Sequence, residues 1–220
     1  MSRRSRFPIL NTPLGEVTPP TPDDWWLSGG VSSADCVLAY APKGADDYTA
    51  ARANLNNAGV LDAIPGVAPA WNASTGWSFD GTQYLRTQYS ANSVSHTLMV
   101  RFANVSASGS DYRIGNSNNY VAPRFSGNQR GYVNGGFNFV AATSNITAGT
   151  MAVAGANCYL DGAADGTLTT SLAGSFEYIV GARAAIPDQP LIGDILAYAL
   201  YSRVLTAGEI AALHTAMMAL

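Results

Sequence analysis

Residues 192–213 read IGDILAYALYSRVLTAGEIAAL, and no other stretch limits the possible folds so tightly. In the first ten residues Ile195, Ala197 and Ala199 alternate with Leu196, Tyr198 and Leu200. Both sides of that strand are apolar, which predicts a central strand covered on both faces. A helix start follows at once. Thr206 and Glu209 match the S/T-x-x-E capping box, and Leu205 with Ile210 can close a hydrophobic staple over it. Ile210, Leu213 and Met217 then recur at helical spacing and predict the docking face.

Upstream, period-two and turn signals predict a series of short strands. Residues 36–42 (CVLAYAP) read as a buried strand ended by Pro42, and residues 45–55 as a short helix or turn. Residues 76–87 (GWSFDGTQYLRT) give a strand at Trp77 and Phe79, a tight turn at Asp80-Gly81, then Tyr84 and Leu85. In residues 95–102, Leu98, Val100 and Phe102 alternate with Thr97, Met99 and Arg101, the pattern of a half-buried strand. Residues 104–119 are rich in Gly, Ser and Asn and predict exposed turns around a short strand at 112–114. Further strands are expected at 120–125, 131–133, 137–141, 151–153, 158–160 and 176–181. Asn134-Gly135 and Asp161-Gly162 carry the clearest hairpin chemistry, because both positions accept positive φ. Trp71 and Trp77 are expected in the core.

The first 30 residues are of another kind. They hold 5 of the chain's 11 prolines and show neither a helical nor a strand period. Proline fixes φ and removes a donor, so residues 1–30 are expected to form an extended arm, with residues 31–220 as one domain. Arg3, Arg4, Arg6, Phe7, Ile9 and Leu10 supply anchors through which such an arm could join a partner. Trp25 and Trp26 are expected to plug one end of the domain.

Composition narrows the function. Charged residues make up 12% of the chain, against about 25% in an average soluble domain. The net charge is −3 and Lys43 is the only lysine, which offers no basic footprint for nucleic acid or a polybasic membrane patch. No long apolar run follows the three N-terminal arginines, so neither a signal peptide nor a membrane span is expected. Cys36 and Cys158, both in apolar stretches, could pair but read first as free buried thiols.

Three separated segments, in order, carry a family resemblance. They are CVLAYAPKGADDYTAARANLNNAG followed by GWSFDGTQYLRT, then MAVAGANCYLDG, then FEYIVGARAAIPDQPLIGDILAYALYSRVLTAGEIAAL. Over about residues 36–216 the chain resembles concanavalin A-like, laminin G-like domains. The resemblance implies an all-β jelly-roll sandwich, here with an extended N-terminal arm and a short C-terminal helix. Arm and domain together also resemble bacteriophage virion proteins that carry this sandwich. That likeness implies a non-enzymatic capsid decoration, fibre or tail-appendage subunit at the virion surface, assembled in the host cytoplasm. It would be joined to other virion proteins by its arm; the oligomeric state is left open, a homotrimer being common among appendages of this sort. The alternative is a lectin-like adhesion module recognising a cell-surface glycan.

The jelly roll also hosts glycoside hydrolases, which need two carboxylates on one strand face. The chain has three glutamates, Glu16, Glu177 and Glu209, and no strand carries acids at i and i+2 or i+4. His96 and His214 have no supporting cluster in sequence for a metal or a catalytic triad, so no catalytic residue is assigned. Asp46, Asp47, Asp80 and Asp161 could hold calcium but read first as plain turn residues. For a glycan, the candidate platform is Tyr112, Arg113, Asn116, Asn118, Asn119, Tyr120 and Arg124, where aromatics, amides and arginines stand together.

Overall fold

The computed structural model describes residues 22–91, 94–107, 111–125, 129–135, 139–142, 146–171, 174–183 and 189–220. The proposed anchors Arg3, Arg4, Arg6, Phe7, Ile9 and Leu10 lie outside the described residues. The elements run in chain order from a 3-10 segment (Pro22–Leu27), β1 (Cys36–Tyr40), α1 (Tyr48–Arg52), β2 (Ile64–Val67), β3 (Ala70–Asn72), β4 (Gly76–Asp80), β5 (Tyr84–Ala91) and β6 (Thr97–Ala103). There follow β7 (Asp111–Gly115), β8 (Asn119–Phe125), β9 (Gln129–Asn134), β10 (Phe139–Ala142), β11 (Gly149–Ala154) and β12 (Asn157–Leu160). The chain closes with β13 (Ala163–Thr167), β14 (Phe176–Val180), β15 (Ile192–Tyr201) and α2 (Ala207–Ala219).

Two antiparallel sheets face each other. One has the order β13-β12-β11-β6-β15-β4-β3, with β1 also on β15, and the other β10-β9-β8-β7-β14-β5-β2. The chain is therefore an all-β sandwich with a short C-terminal helix. Strand β15 organises the first sheet: along one side it pairs with β6, while β4 takes its first half and β1 its last. Residues 76–87 do not make a hairpin. The Asp80-Gly81 turn carries the chain from β4 in one sheet to β5 in the other. By contrast, Asp161 (φ 48°) and Gly162 (φ 76°) do join paired strands, β12 and β13, with the two positive φ angles a tight hairpin needs.

The inter-sheet core takes Leu38, Tyr40, Trp77, Leu98, Val100, Phe102, Tyr198 and Leu200 from the first sheet and Leu85, Ile114, Val121, Tyr132, Tyr178 and Val180 from the second. Trp71 lies partly buried against it and donates from Nε1 to the Pro42 carbonyl (2.8 Å). Ile195 also joins this core, on the same face as Tyr198 and Leu200 and not, as simple alternation predicts, with Ala197 and Ala199. The pairing of β15 with β6 slips between Ile195 and Ala197, and such a bulge resets the alternation.

The first sheet is buried on its outer face too. Ala39, Met99, Ala152, Ala154, Ala197 and Ala199 form the floor of a second cluster, roofed by Trp25, Trp26, Ile210, Leu213 and Met217. Small floor side chains let a helix settle close to the sheet. Two expectations are corrected here. Trp25 and Trp26 roof this sheet beside α2 and do not plug an end of the sandwich. Strand β6 is covered on both faces, since Thr97 and Met99 are as buried as Leu98 and Val100. Arg101, on the helix side, donates from Nη1 to the Met217 carbonyl (2.5 Å), a second donor beside Leu220 N (3.3 Å) in the last turn of α2. Cys36 and Cys158 are both free and buried, and burial raises each thiol to about 12.

Helix α2 begins as the sequence predicts. Thr206 Oγ1 accepts from Glu209 N (3.3 Å), and Thr206 N donates back to Glu209 Oε2 (2.7 Å). Arg203 grips the same carboxylate through Nη2 (2.6 Å) and Asp35 through Nε (2.7 Å). The Arg203 contact, with help from Thr206, lowers Glu209 from 4.5 to about 2. A depressed folded-state value means the contribution is whole above the ordinary carboxyl range and fades as pH falls toward the folded value. Glu209→Gln is accordingly expected to lower stability near neutral pH by about 1–2 kcal/mol. In urea titrations the gap between wild type and variant should close as the buffer is taken down toward pH 2; a pH-independent gap would contradict this account.

Candidate functional site

Strand β7 alternates about the second sheet. Tyr112 and Ile114 enter the core, so Arg113 between them emerges on the opposite, outer face. Its ladder with β8 slips between Tyr112 and Ile114, and that of β8 with β9 between Ala122 and Phe125. Pro123, which has no N–H to give, lies within both irregular stretches. Bulges of this type re-aim a side chain. Here they bring Arg113 over two rings: its guanidinium carbon lies 4.9 Å from the centroid of Tyr120 and 5.1 Å from that of Phe125.

Asp111, two residues earlier on the same strand face, fixes the guanidinium plane. Arg113 donates to it from Nε (2.8 Å) and Nη2 (2.5 Å), a bidentate fork. The neighbouring chain segment completes the site. Arg113 N donates to the Gln189 carbonyl (3.1 Å) and Gly115 N to that of Ala182 (3.3 Å), which sets Arg183 beside β7. Burial raises the pKa of the Tyr120 phenol, and the nearby arginines only partly oppose that rise, to which Asp111 adds. Tyr120, Ala122 and Val133 form a small apolar patch underneath, with Phe125 at its side.

Of the seven residues expected on an exposed loop platform, the structure keeps Arg113 and Tyr120 together on this sheet face. Tyr112 is a core residue. Asn116 and Asn119 are buried and structural. Asn116 Oδ1 accepts from the backbone N–H groups of Asn118 (2.8 Å) and Asn119 (2.7 Å), closing a tight turn between β7 and β8. Asn119 Nδ2 donates to Asn134 Oδ1 (3.1 Å), and Asn118 Nδ2 to the Gly174 carbonyl (3.0 Å). Arg124 is a buried member of β8 opposite Tyr112. Of the turns expected over residues 104–119, residues 104–107 do lie outside the strands, while Asn116 closes a tight turn between β7 and β8. Sequence reasoning missed Asp111, Phe125 and Arg183. Asp111 was findable, since acid and arginine two apart on a strand share a face.

The other polar candidates are tied into local structure. Asp47 Oδ1 caps α1 through Ala50 N (2.8 Å), Asp80 Oδ1 accepts from Thr82 N (3.0 Å), and Asp161 Oδ1 accepts from Thr150 N (2.8 Å). Asp46 lines a cleft of about 600 Å³ with Lys43, Ala41, Ala45, Leu55 and Leu220. Among the described residues, no three His, Cys, Asp or Glu side chains gather where a metal could be held. His96 packs against Tyr89 and Tyr178, and His214 Nδ1 pairs with Thr150 Oγ1 at 2.8 Å. Glu177 is held by Arg86 (2.7 Å) and Gln88 N (2.8 Å), and Asp194 by Asn104 Nδ2 (2.6 Å).

Neither a protein-family model nor a curated protein sequence matches this chain. Solved structures do. A mutant of Trypanosoma rangeli sialidase displaying trans-sialidase activity aligns over 85% of this chain and 34% of its own, at 15% identity and a TM-score of 0.61. T. rangeli sialidase in complex with sialic acid aligns over 84% and 33%, at 16% identity and a TM-score of 0.58. The binding domain of botulinum neurotoxin DC, in complex with rat synaptotagmin II, aligns over 84% and 52%, at 11% identity and a TM-score of 0.54. The likeness is one of fold. This chain spans about a third of the length of the sialidases and about half of the neurotoxin domain. Among the described residues no helix is long and apolar enough to cross a membrane.

Proposed function

We propose that this chain is a non-catalytic carbohydrate-binding module whose binding face is the outer side of the second sheet around Arg113. The observation that carries the reading is the guanidinium held flat by Asp111 against the rings of Tyr120 and Phe125. A sugar presents apolar C–H faces and a rim of hydroxyls. The partly buried Phe125 ring, with a rigid planar donor beside it, matches both features without ordering flexible side chains. Glu177, Glu209, Asp165 and Asp194 are each engaged by a structural partner, which supports binding without hydrolysis. These observations favour the lectin-like reading over display on a phage particle.

The test is a glycan array with the intact chain, followed by titration of the best saccharide. Tyr120→Ala removes the ring beneath Arg113 and should weaken binding at least about tenfold, while Tyr120→Phe keeps the ring and most of the affinity. Thermal unfolding of both variants checks that the sheet has formed. Absence of binding across the array, or release of new reducing ends from the bound glycan, would overturn the reading.

A further inference from the structure

We infer that the outer face of the second sheet carries a second subsite at its β2 edge, built on Tyr84, Arg86, Ile64 and Val67, and that the ligand is an extended saccharide chain. The inference rests on the carbohydrate-binding reading and sets the size of what is bound. Leu85 enters the core, so Tyr84 and Arg86 on either side of it emerge on the outer face. Ile64 pairs with Arg86 and Val67 with Tyr84, and paired residues share a face. The four side chains therefore stand together. Ile64 and Val67 are each 45% exposed, which leaves an apolar surface open beside the Tyr84 ring.

The arrangement repeats the one at Arg113, a ring beside an arginine held by a carboxylate. Arg86 donates to Glu177 Oε2 from Nε (3.0 Å) and Nη2 (2.7 Å), and its side chain stays 50% exposed. With its charge met by Glu177, this guanidinium suits the hydroxyls of a neutral chain. The half-buried Tyr84 leans across onto Gly66, where a Cβ would overlap the ring. Glycine thus provides a seat that holds the ring before any ligand arrives. Ile179 of β14 pairs with Arg86 on one side and with Gly115 on the other, so β5 and β7 stand level across β14. Two strand spacings put the second subsite about 10 Å to the side of the first. One sugar ring does not cover that span, whereas a chain lying across the strands meets both.

Ligand length is the readout. The probes are cellobiose and cellohexaose, xylobiose and xylohexaose, and the best ligand of the glycan array in the same two lengths, each titrated into the intact chain. In at least one series the hexasaccharide should bind about tenfold or more tighter than the disaccharide, because its second contact forms within an already bound molecule. Tyr84→Ala should bring the hexasaccharide to within about threefold of the disaccharide and leave the disaccharide unchanged, while Tyr84→Phe keeps the difference. If Tyr84→Ala does not fold, Gly66→Ala decides, since its methyl group displaces the ring from its seat. Equal affinity for both lengths, a length effect that survives loss of the seated ring, or an equal loss at both lengths sinks the inference and leaves the carbohydrate reading standing. The second of these results is what a protein-docking patch at Ile64 and Val67 would give. Failure of every saccharide to bind sinks both.

Discussion

Replacing Asp165 with alanine is expected to cost about 3–5 kcal/mol, because it strands a buried cation between the two sheets. Arg130 stands on β9 in the second sheet and Asp165 on β13 in the first. Arg130 donates to both carboxylate oxygens, with Nε to Oδ2 at 2.7 Å, and the Tyr132 hydroxyl donates to Oδ2 at 2.6 Å. Both charged side chains are nearly nine-tenths covered. The Arg130 contact holds the Asp165 carboxyl below its ordinary value. Its contribution is therefore whole above the usual carboxylate range and is lost as pH drops through and below it. The double change Arg130→Met with Asp165→Leu should recover most of the loss, since neither charge is then left unpaired. Urea unfolding of the single and double variants checks this. A single-variant loss under about 1 kcal/mol would show that the pair is solvated and does not fasten the sheets.

Asn54→Asp should be nearly as damaging, at about 3 kcal/mol or more, although it exchanges only an amide for a carboxylate. Asn54 is 2% exposed and ties β1 to the loop between α1 and β2. Its Oδ1 accepts from Ala39 N (3.0 Å), and its Nδ2 donates to the carbonyls of Val37 (3.1 Å) and Val60 (3.0 Å). Its own N–H donates to Asp62 Oδ1 (2.9 Å). An aspartate would satisfy Ala39 but turn an acceptor toward two carbonyls. Its folded-state pKa would rise, so the damage is greatest at neutral pH and eases as the new acid protonates. A variant whose urea midpoint matches wild type at neutral pH would refute the role given to Asn54.

The candidate site was partly legible. Tyr120 and Arg113 stand out as an aromatic and an arginine in a polar stretch, but the stretch looked like exposed turns because Gly, Ser and Asn dominate it. In the structure those asparagines spend their amides on closing the turn between β7 and β8, and the rings and cations that remain lie on a sheet face. Phe125 and Arg183 could not be found from sequence, since a bulge and a chain segment some 70 residues away bring them toward Arg113.

Local chemistry determined what is local. The Thr206–Glu209 cap, the Asp161-Gly162 hairpin and the alternation in β6 follow from side chains within a few residues of one another, so the chain announces them. It also announces that β15 is buried on both faces, because no solvated strand is apolar throughout. Only tertiary structure decided what does the burying. Trp25 and Trp26 cover the first sheet because α2 returns to the same face, 180 residues later in the chain. Likewise the bulge that turns Ile195 inward depends on the register of β6, which no pattern within β15 can specify. Register and layer pairing are contacts between distant segments, and their energy is absent from any short stretch of sequence read alone.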